Sequence, residues 1–229
     1  IKGFERYHLV NNTNDLFDAR NFTDYGKVTV YSEDTVPGIG KTMINVARTD
    51  CFYEVATGGG NDTILIGNAN LGAFQKLRAY GEDGDDVLNI GTVTTSGGGT
   101  ALLSGGAGKD VYQVQAKAHQ LTIQESGVDA DRLEIFGATA ITTLAELSSK
   151  VSFRTSSDGA TITLRIAGLD GKGNRDNALV FVQENFSGDV MRLYSDQGKT
   201  SQLGGDVDLA AVVAAIGKNS GWTNLTFQD

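Results

Sequence analysis

The chain has 229 residues, 30 of them glycine, with one proline, one cysteine and a formal charge of −9. That charge disfavours nucleic acid and anionic membrane surfaces as partners and makes cations the natural counterions, while the lone Cys51 excludes an intramolecular disulfide framework or a multi-cysteine zinc site. No apolar run reaches the length of a membrane-spanning helix, so membrane insertion is not expected, and 40% apolar residues suffice for a packed core.

The chain opens at Ile1 with neither a methionine nor a signal-peptide pattern, and it reads as part of something longer. A turn over 11–15 leads into a strand to Asp18, strands follow over 28–31 and 41–46, and Pro37-Gly38-Ile39-Gly40 supplies a turn. Three glycine-acid turns come next: Thr57-Gly-Gly-Gly-Asn-Asp62, Gly81-Glu-Asp-Gly-Asp-Asp86 and Gly105-Gly-Ala-Gly-Lys-Asp110. Their closing aspartates are 24 residues apart, twice, and Pro37 to Gly40 falls one such period before Asp62.

Apolar residues keep the same period. Two and four positions after each aspartate stand Ile64 and Ile66, Leu88 and Ile90, Tyr112 and Val114. Nine and seven positions before stand Tyr53 and Val55, Leu77 and Ala79, Ala101 and Leu103. Strand side chains alternate between faces, so these form four columns that would share one core if each unit stacks on the last, with Glu54, Arg78, Asn89 and Gln113 facing out. The expected fold is therefore all-β: a right-handed parallel β-roll or β-solenoid with 24-residue coils. After Asp110 the next such turn, ending in Asp129-Ala-Asp131 before Leu133-Glu-Ile-Phe136, comes 21 residues on, so the coil there must shorten or end.

A hard dication takes six to eight oxygens, more than one turn offers, but turns stacked about 4.8 Å apart can share an ion between neighbours. The expected ligands are Asp62, Asp86 and Asp110 with turn oxygens at Gly58, Gly60, Gly81, Gly84, Gly106 and Gly108, and Asp129 and Asp131 closing a third interval. Asp83, Asp85 and Asn61 are weaker, outward-leaning candidates. The plain alternative is that these are simple turns, with glycine for left-handed geometry and Asn or Asp for self-capping.

Gly105-Gly-Ala-Gly-Lys-Asp-Val-Tyr-Gln113 resembles, position by position, the nonapeptide G-G-x-G-x-D-x-U-x of the RTX (repeats-in-toxin) family. The other two turns match in part, Thr57 standing for the first glycine of one and Glu82 for the second glycine of the other. The resemblance implies a parallel β-roll with Ca2+ between successive turns, held by the motif aspartate and turn carbonyls, in a protein exported by type I secretion. It covers residues 57–113 only. The family's usual roll carries the motif on both edges; here the dissimilar returns at 68–72, 92–100 and 117–120 predict one calcium ladder on a wider coil.

From about residue 139 the pattern changes. A helix is expected over 144–150, then a hairpin of 151–155 and 160–166 about Ser157-Asp158-Gly159, a polar loop over 169–177, and a strand over 179–182. The loop's Asp170, Lys172, Asn174 and Asp176 have an EF-hand-like spacing that the lysine spoils. Residues 185–193, with a helix over 208–216, resemble more loosely the segment that follows RTX repeats. The expected division is 1–138 as the calcium-binding stack and 139–229 as a cap over its open end.

His8 and His119 stand in unrelated contexts, neither H-E-x-x-H nor G-x-S-x-G occurs, and Gly38-Ile-Gly-Lys-Thr42 lacks the upstream glycine and following helix of a nucleotide loop. The expectation is a non-catalytic, secreted or cell-surface calcium-binding module, part of an adhesin, a surface-layer protein or another exported protein, whose partners beyond calcium are a surface protein or polysaccharide. The rival is a polysaccharide-active parallel β-helix of lyase or epimerase type, using Arg48, Asp50, Glu54 and Arg78 on an exposed sheet face.

Overall fold

The structure, a computed structural model, describes residues 4–9, 14–19, 27–34, 41–46, 52–66, 69–71, 76–91, 93–95, 100–116, 121–125, 128–138, 141–166, 178–182, 186–218 and 221–227. Most of the turn expected over 11–15, the turn expected at 37–40, Arg48, Asp50, Cys51, parts of the returns at 68–72 and 92–100, the return at 117–120 with His119, and the loop over 169–177 lie outside the described residues.

The described residues are predominantly β, with two short helices among them, and the sheets are built mainly from parallel strands. The first fourteen strands are β1 (Phe4–Leu9), β2 (Asn14–Ala19), β3 (Lys27–Asp34), β4 (Lys41–Val46), β5 (Phe52–Gly58), β6 (Thr63–Ile66), β7 (Ala69–Leu71), β8 (Lys76–Asp83), β9 (Val87–Ile90), β10 (Val93–Thr95), β11 (Thr100–Ala107), β12 (Val111–Gln115), β13 (Leu121–Gln124) and β14 (Arg132–Phe136). There follow α1 (Leu144–Lys150), β15 (Val151–Thr155), β16 (Thr161–Ile166), β17 (Ala178–Val182), β18 (Val190–Leu193), β19 (Val207–Asp208), α2 (Leu209–Ile216) and β20 (Thr223–Asn224).

Up to β14, β7 and β10 apart, successive strands alternate between two large sheets. One has the order β1-β3-β5-β8-β11-β13-β17-β16-β15-β20, the other β19-β18-β14-β12-β9-β6-β4-β2. The return segments contribute β7 and β10, which pair in parallel as a small third sheet, Val93 on Ala69.

The pairing register follows the sequence period where the glycine turns are. Tyr53 pairs with Leu77 and Leu77 with Ala101; Ile64 pairs with Leu88 and Leu88 with Tyr112. Strand alternation turns Val55, Leu77, Ala79, Ala101 and Leu103 of one sheet and Ile64, Ile66, Leu88, Ile90, Tyr112 and Val114 of the other inward, where they are buried in one apolar cluster. Each such Leu, Ile or Val contributes about 1.5–3 kcal/mol over leaving it exposed. Tyr112 also links the sheets, because its hydroxyl accepts the backbone N–H of Gly105 across the core.

On the outer faces the in-register residues pair with one another. Arg78 lies 3.6 Å from Glu54. Asn89 donates to Gln113 at 2.8 Å and Gln113 to Glu134 at 3.0 Å, and Glu134 is also met by Arg132 and Lys199.

Outside the glycine turns the step changes. Met43 pairs with Thr63, a step of 20, so Thr42 takes the register position before Asp62. Past Asp110 the chain shortens rather than ending, with Val111 on Arg132 and Ala101 on Leu121.

The expected boundary at 138/139 does not mark the end of the parallel stack. β17 pairs in parallel with β13 and β18 with β14, Val190 on Arg132, after an excursion through α1, β15 and β16. Only then do the sheets turn antiparallel, through β16, β15 and β20 on one side and β19 on the other. Leu147 of α1 and Leu209 and Val212 of α2 join the core cluster there. α1 forms at the expected residues, with the Thr143 side chain accepting Glu146 N–H as its N-cap; Asp208 caps α2 through Ala211 N–H. The hairpin of β15 and β16 turns at Gly159, whose φ of +80° suits glycine.

Candidate metal centre

The glycine-acid turns join the two large sheets along one edge, each between the strand that ends at its glycines and the strand that begins after its aspartate. They stack in direct backbone contact. Gly60 N–H donates to Asp83 O at 2.8 Å and Gly84 N–H to Ala107 O at 2.7 Å. The glycine two residues before each closing aspartate makes this approach possible: a Cβ on Gly84 would stand 1.7 Å from Gly60 O, and one on Gly108 2.2 Å from Gly84 O.

Inside the turns the aspartates form a continuous column. Asp62 N–H donates to Asp86 Oδ1 at 2.7 Å, Asp86 N–H to Asp110 Oδ1 at 2.8 Å, Asp110 N–H to Asp131 Oδ1 at 2.9 Å and Asp131 N–H to Asp189 Oδ1 at 3.0 Å. Each carboxylate thus leans back on the preceding turn and satisfies its amide. All five residues are buried, at 1% exposure for Asp62, Asp86, Asp110 and Asp189 and 3% for Asp131. By register, Asp15 and Thr42 pair one strand further out, ahead of Asp62.

The second carboxylate oxygen is the unusual feature. Oδ2 of Asp86, Asp110 and Asp189 is buried and accepts no hydrogen bond. Asp86 Oδ2 and the Gly105 carbonyl, from two successive turns, both crowd the bare α-carbon of Gly81, at 2.0 and 2.7 Å from where a Cβ would be. Asp110 Oδ2 stands in the same relation to Gly105, also at 2.0 Å.

Burial and mutual repulsion hold these groups towards the protonated form. Asp86 is pushed up to about 8, by burial first and then by the neighbouring carboxylates of Asp110, Asp62 and Asp85. Asp110 and Asp189 rise to about 6 and Asp131 to about 7, again with burial as the main cause.

The expected ligand residues divide into an inner and an outer set. Asp62, Asp86, Asp110 and Asp131 share the inner column. Asp129 does not: it is exposed, and its Oδ2 accepts Gly108 N–H at 3.2 Å. Asn61 and Asp85 form the same outer rim, accepting Asp85 N–H at 3.0 Å and Lys109 N–H at 2.8 Å from the next turn. Asp83 is exposed too, and its carbonyl is taken by Gly60. Among the expected carbonyls, Gly81 O accepts the Thr57 hydroxyl at 3.0 Å, and Gly60 O and Gly84 O face the glycine stacked on them. The Asn and Asp side chains therefore cap neighbouring turns, where a simple turn would cap itself.

Sequence reasoning missed two members of the centre. Asp189 completes the column, and its signal is the alternation Asp189-Val-Met-Arg-Leu193, the same acid-then-alternating pattern as Asp110-Val-Tyr-Gln-Val114. Glu125, 4% exposed, stands at the register position of Gly105 and accepts Gly105 N–H at 2.9 Å and Gly106 N–H at 3.3 Å. Its carboxyl is pushed up to about 8, mainly by burial, then by Asp131 and Asp110. Glutamate there follows no motif.

No family model, curated protein or solved structure matches this chain. What the column can do rests on its own chemistry. It is an all-oxygen donor set, which suits a hard cation and not a soft one. Among the described residues no three Asp, Glu, His or Cys side chains converge so as to hold a metal ion by themselves, so an ion here would draw on two carboxylates and backbone carbonyls.

Proposed function

We propose that this chain is a non-catalytic calcium-binding module of a secreted bacterial protein, an RTX-like parallel β-roll or β-solenoid stabilised by calcium along one edge. It would serve as part of a larger adhesin, surface-layer or other exported protein at the cell surface or beyond it.

The observation that carries this reading is the set of buried, unpartnered carboxylate oxygens at Asp86, Asp110 and Asp189. A buried acceptor without a donor costs about 1–3 kcal/mol, and more when charged. Five acids in one buried column, Asp62 to Asp189, multiply that cost through mutual repulsion. A hard cation would remove it, drawing on Asp62, Asp86 and Asp110 with carbonyl oxygens of the turns such as Gly105 O beside Gly81. When bound, calcium supplies positive charge and a demand for oxygen ligands. The chain supplies carboxylates already oriented by the amide of the preceding turn.

An ion that binds only the folded chain adds its binding energy to folding, by RT ln(1 + [L]/Kd). Low calcium inside the producing cell would leave the column repelling itself; millimolar calcium outside would favour the folded form. The test is a pair of thermal melts followed by circular dichroism, in chelator and in millimolar calcium, with calorimetric titration of calcium. A large upward shift with saturable binding is expected. Equal melting temperatures with no heat of binding would sink the reading.

A further inference from the structure

The aspartate column has four intervals: Asp62 to Asp86, Asp86 to Asp110, Asp110 to Asp131, and Asp131 to Asp189. Each carboxylate takes, through Oδ1, the amide of the column aspartate before it, so Oδ1 of Asp86 faces the first interval, that of Asp110 the second, that of Asp131 the third and that of Asp189 the fourth. The buried unpartnered oxygens belong to Asp86, Asp110 and Asp189, the acids of the first, second and fourth intervals. Asp131 has none. The third interval is also the one that contains Glu125.

Glu125 alters this interval in three ways. At the same register position Gly81 and Gly105 present bare α-carbons, into whose empty Cβ space the Oδ2 of Asp86 and of Asp110 fits. A glutamate has filled that space, so the acid of its own turn cannot settle there. The turn is also longer by one residue: five positions separate Gly81 from Asp86 and Gly105 from Asp110, but six separate Glu125 from Asp131. Finally, both carboxylate oxygens of Glu125 reach back across the interval to the amides of Gly105 and Gly106. Two amides of the third turn are thereby met by one side chain just past the next strand. The acids Asp110, Glu125 and Asp131 do not converge on a common point.

We propose that Glu125 interrupts the cation column: its carboxyl bridges the third interval in place of an ion, and calcium occupies the first, second and fourth intervals only. The ion positions rest on the calcium reading above, whereas the bridge by Glu125 does not. Asp189, 58 residues beyond Asp131, then supplies a cation site on the far side of the bridge.

Two measurements on the full chain test this. Anomalous scattering from calcium-soaked wild-type crystals should place ions in the first, second and fourth intervals and leave the third without one. In chelator, Glu125→Ala should lower the melting temperature by about 5 °C or more, and Glu125→Gln, which keeps one acceptor oxygen, by less. An ion in the third interval with Glu125 among its ligands would overturn the proposal, as would an E125A protein that melts with wild type in chelator. Absence of ions from every interval, with the E125A loss retained, would remove the calcium reading and leave the Glu125 bridge in place.

Discussion

The backbone N–H of Asp131 donates to Oδ1 of Asp189 at 3.0 Å, although 58 residues separate the two. Every earlier link of the column spans one short return of 24 or 21 residues; this one spans α1 and the β15–β16 hairpin. The excursion is therefore an insertion into the stack, which resumes where it left off. Asp189→Ala leaves the buried Asp131 amide without an acceptor, at about 1–3 kcal/mol, whereas Asp189→Asn keeps one. In chelator at neutral pH, D189A should melt below D189N by about 3 °C or more, at roughly 2–4 °C per kcal/mol for a chain of this size. Equal melting temperatures would mean that the bond contributes nothing.

Asp86→Asn separates the two roles of a column acid. The asparagine Oδ1 can still take Asp62 N–H, while its amide replaces the unpartnered Oδ2 beside the bare α-carbon of Gly81, which the Gly105 carbonyl also crowds. An acid that folding holds well above its ordinary pKa is replaced by a neutral amide, so in chelator at neutral pH D86N should be more stable than wild type by about 1–2 kcal/mol, a rise of several degrees. In millimolar calcium the order should reverse, because the column loses a carboxylate ligand beside Gly81. Melts of both proteins under both conditions decide it; an undiminished calcium shift in D86N would take the ion away from Asp86.

The pH dependence of the metal-free protein follows from the same acids. Asp86 and Glu125 are raised to about 8, Asp131 to about 7, and Asp110 and Asp189 to about 6, against unfolded values near 4. Between those limits the folded chain binds more protons than the unfolded one, so stability falls as pH rises from about 4 to about 8. Glu146, Asp158, Asp196 and Asp206 are lowered by their hydrogen bonds and act with the opposite sign, but only below pH 4 or so. In chelator the melting temperature should drop by about 5–10 °C from pH 5 to pH 8, and calcium should flatten that drop. A chelated protein that grows more stable over this range would contradict the burial of ionisable acids in the column.

What the sequence made legible was local. Alternation at Leu77, Ala79, Leu88 and Ile90, repeated at a fixed spacing beside glycine turns, predicts which residues face the core and which pair, and the register agrees. The inner placement of Asp62, Asp86 and Asp110 follows from the same parity, two residues before an inward apolar side chain. Asp189 was hidden because stacking across an insertion is not a property of neighbouring residues. Glu125 was hidden because it acts through a side chain on the amides of another turn, with no glycine or spacing to mark it. The parallel pairing past residue 138 was hidden for a related reason: a helix and an antiparallel hairpin follow, and nothing local tells that β17 and β18 will pair with β13 and β14.

Glu82 occupies a backbone conformation that its counterparts give to glycine. Its φ is +76°, against +81° at Gly58 and +106° at Gly106, the in-register residues of the adjoining turns. A side chain in this region costs about 1–2 kcal/mol. Glu82 is exposed, so Glu82→Gly removes strain and loses no core packing. The gain is trimmed by the extra freedom glycine brings to the unfolded chain, leaving about 0.5–1 kcal/mol, or a rise of about 1–4 °C in melting temperature. The matching control is Gly84→Ala. It introduces a Cβ 1.7 Å from Gly60 O at a φ of +132° and should force the two turns apart, lowering the melting temperature steeply. Thermal melts of the pair in one buffer check both signs, and an E82G protein no more stable than wild type would show that its turn carries no strain worth relieving.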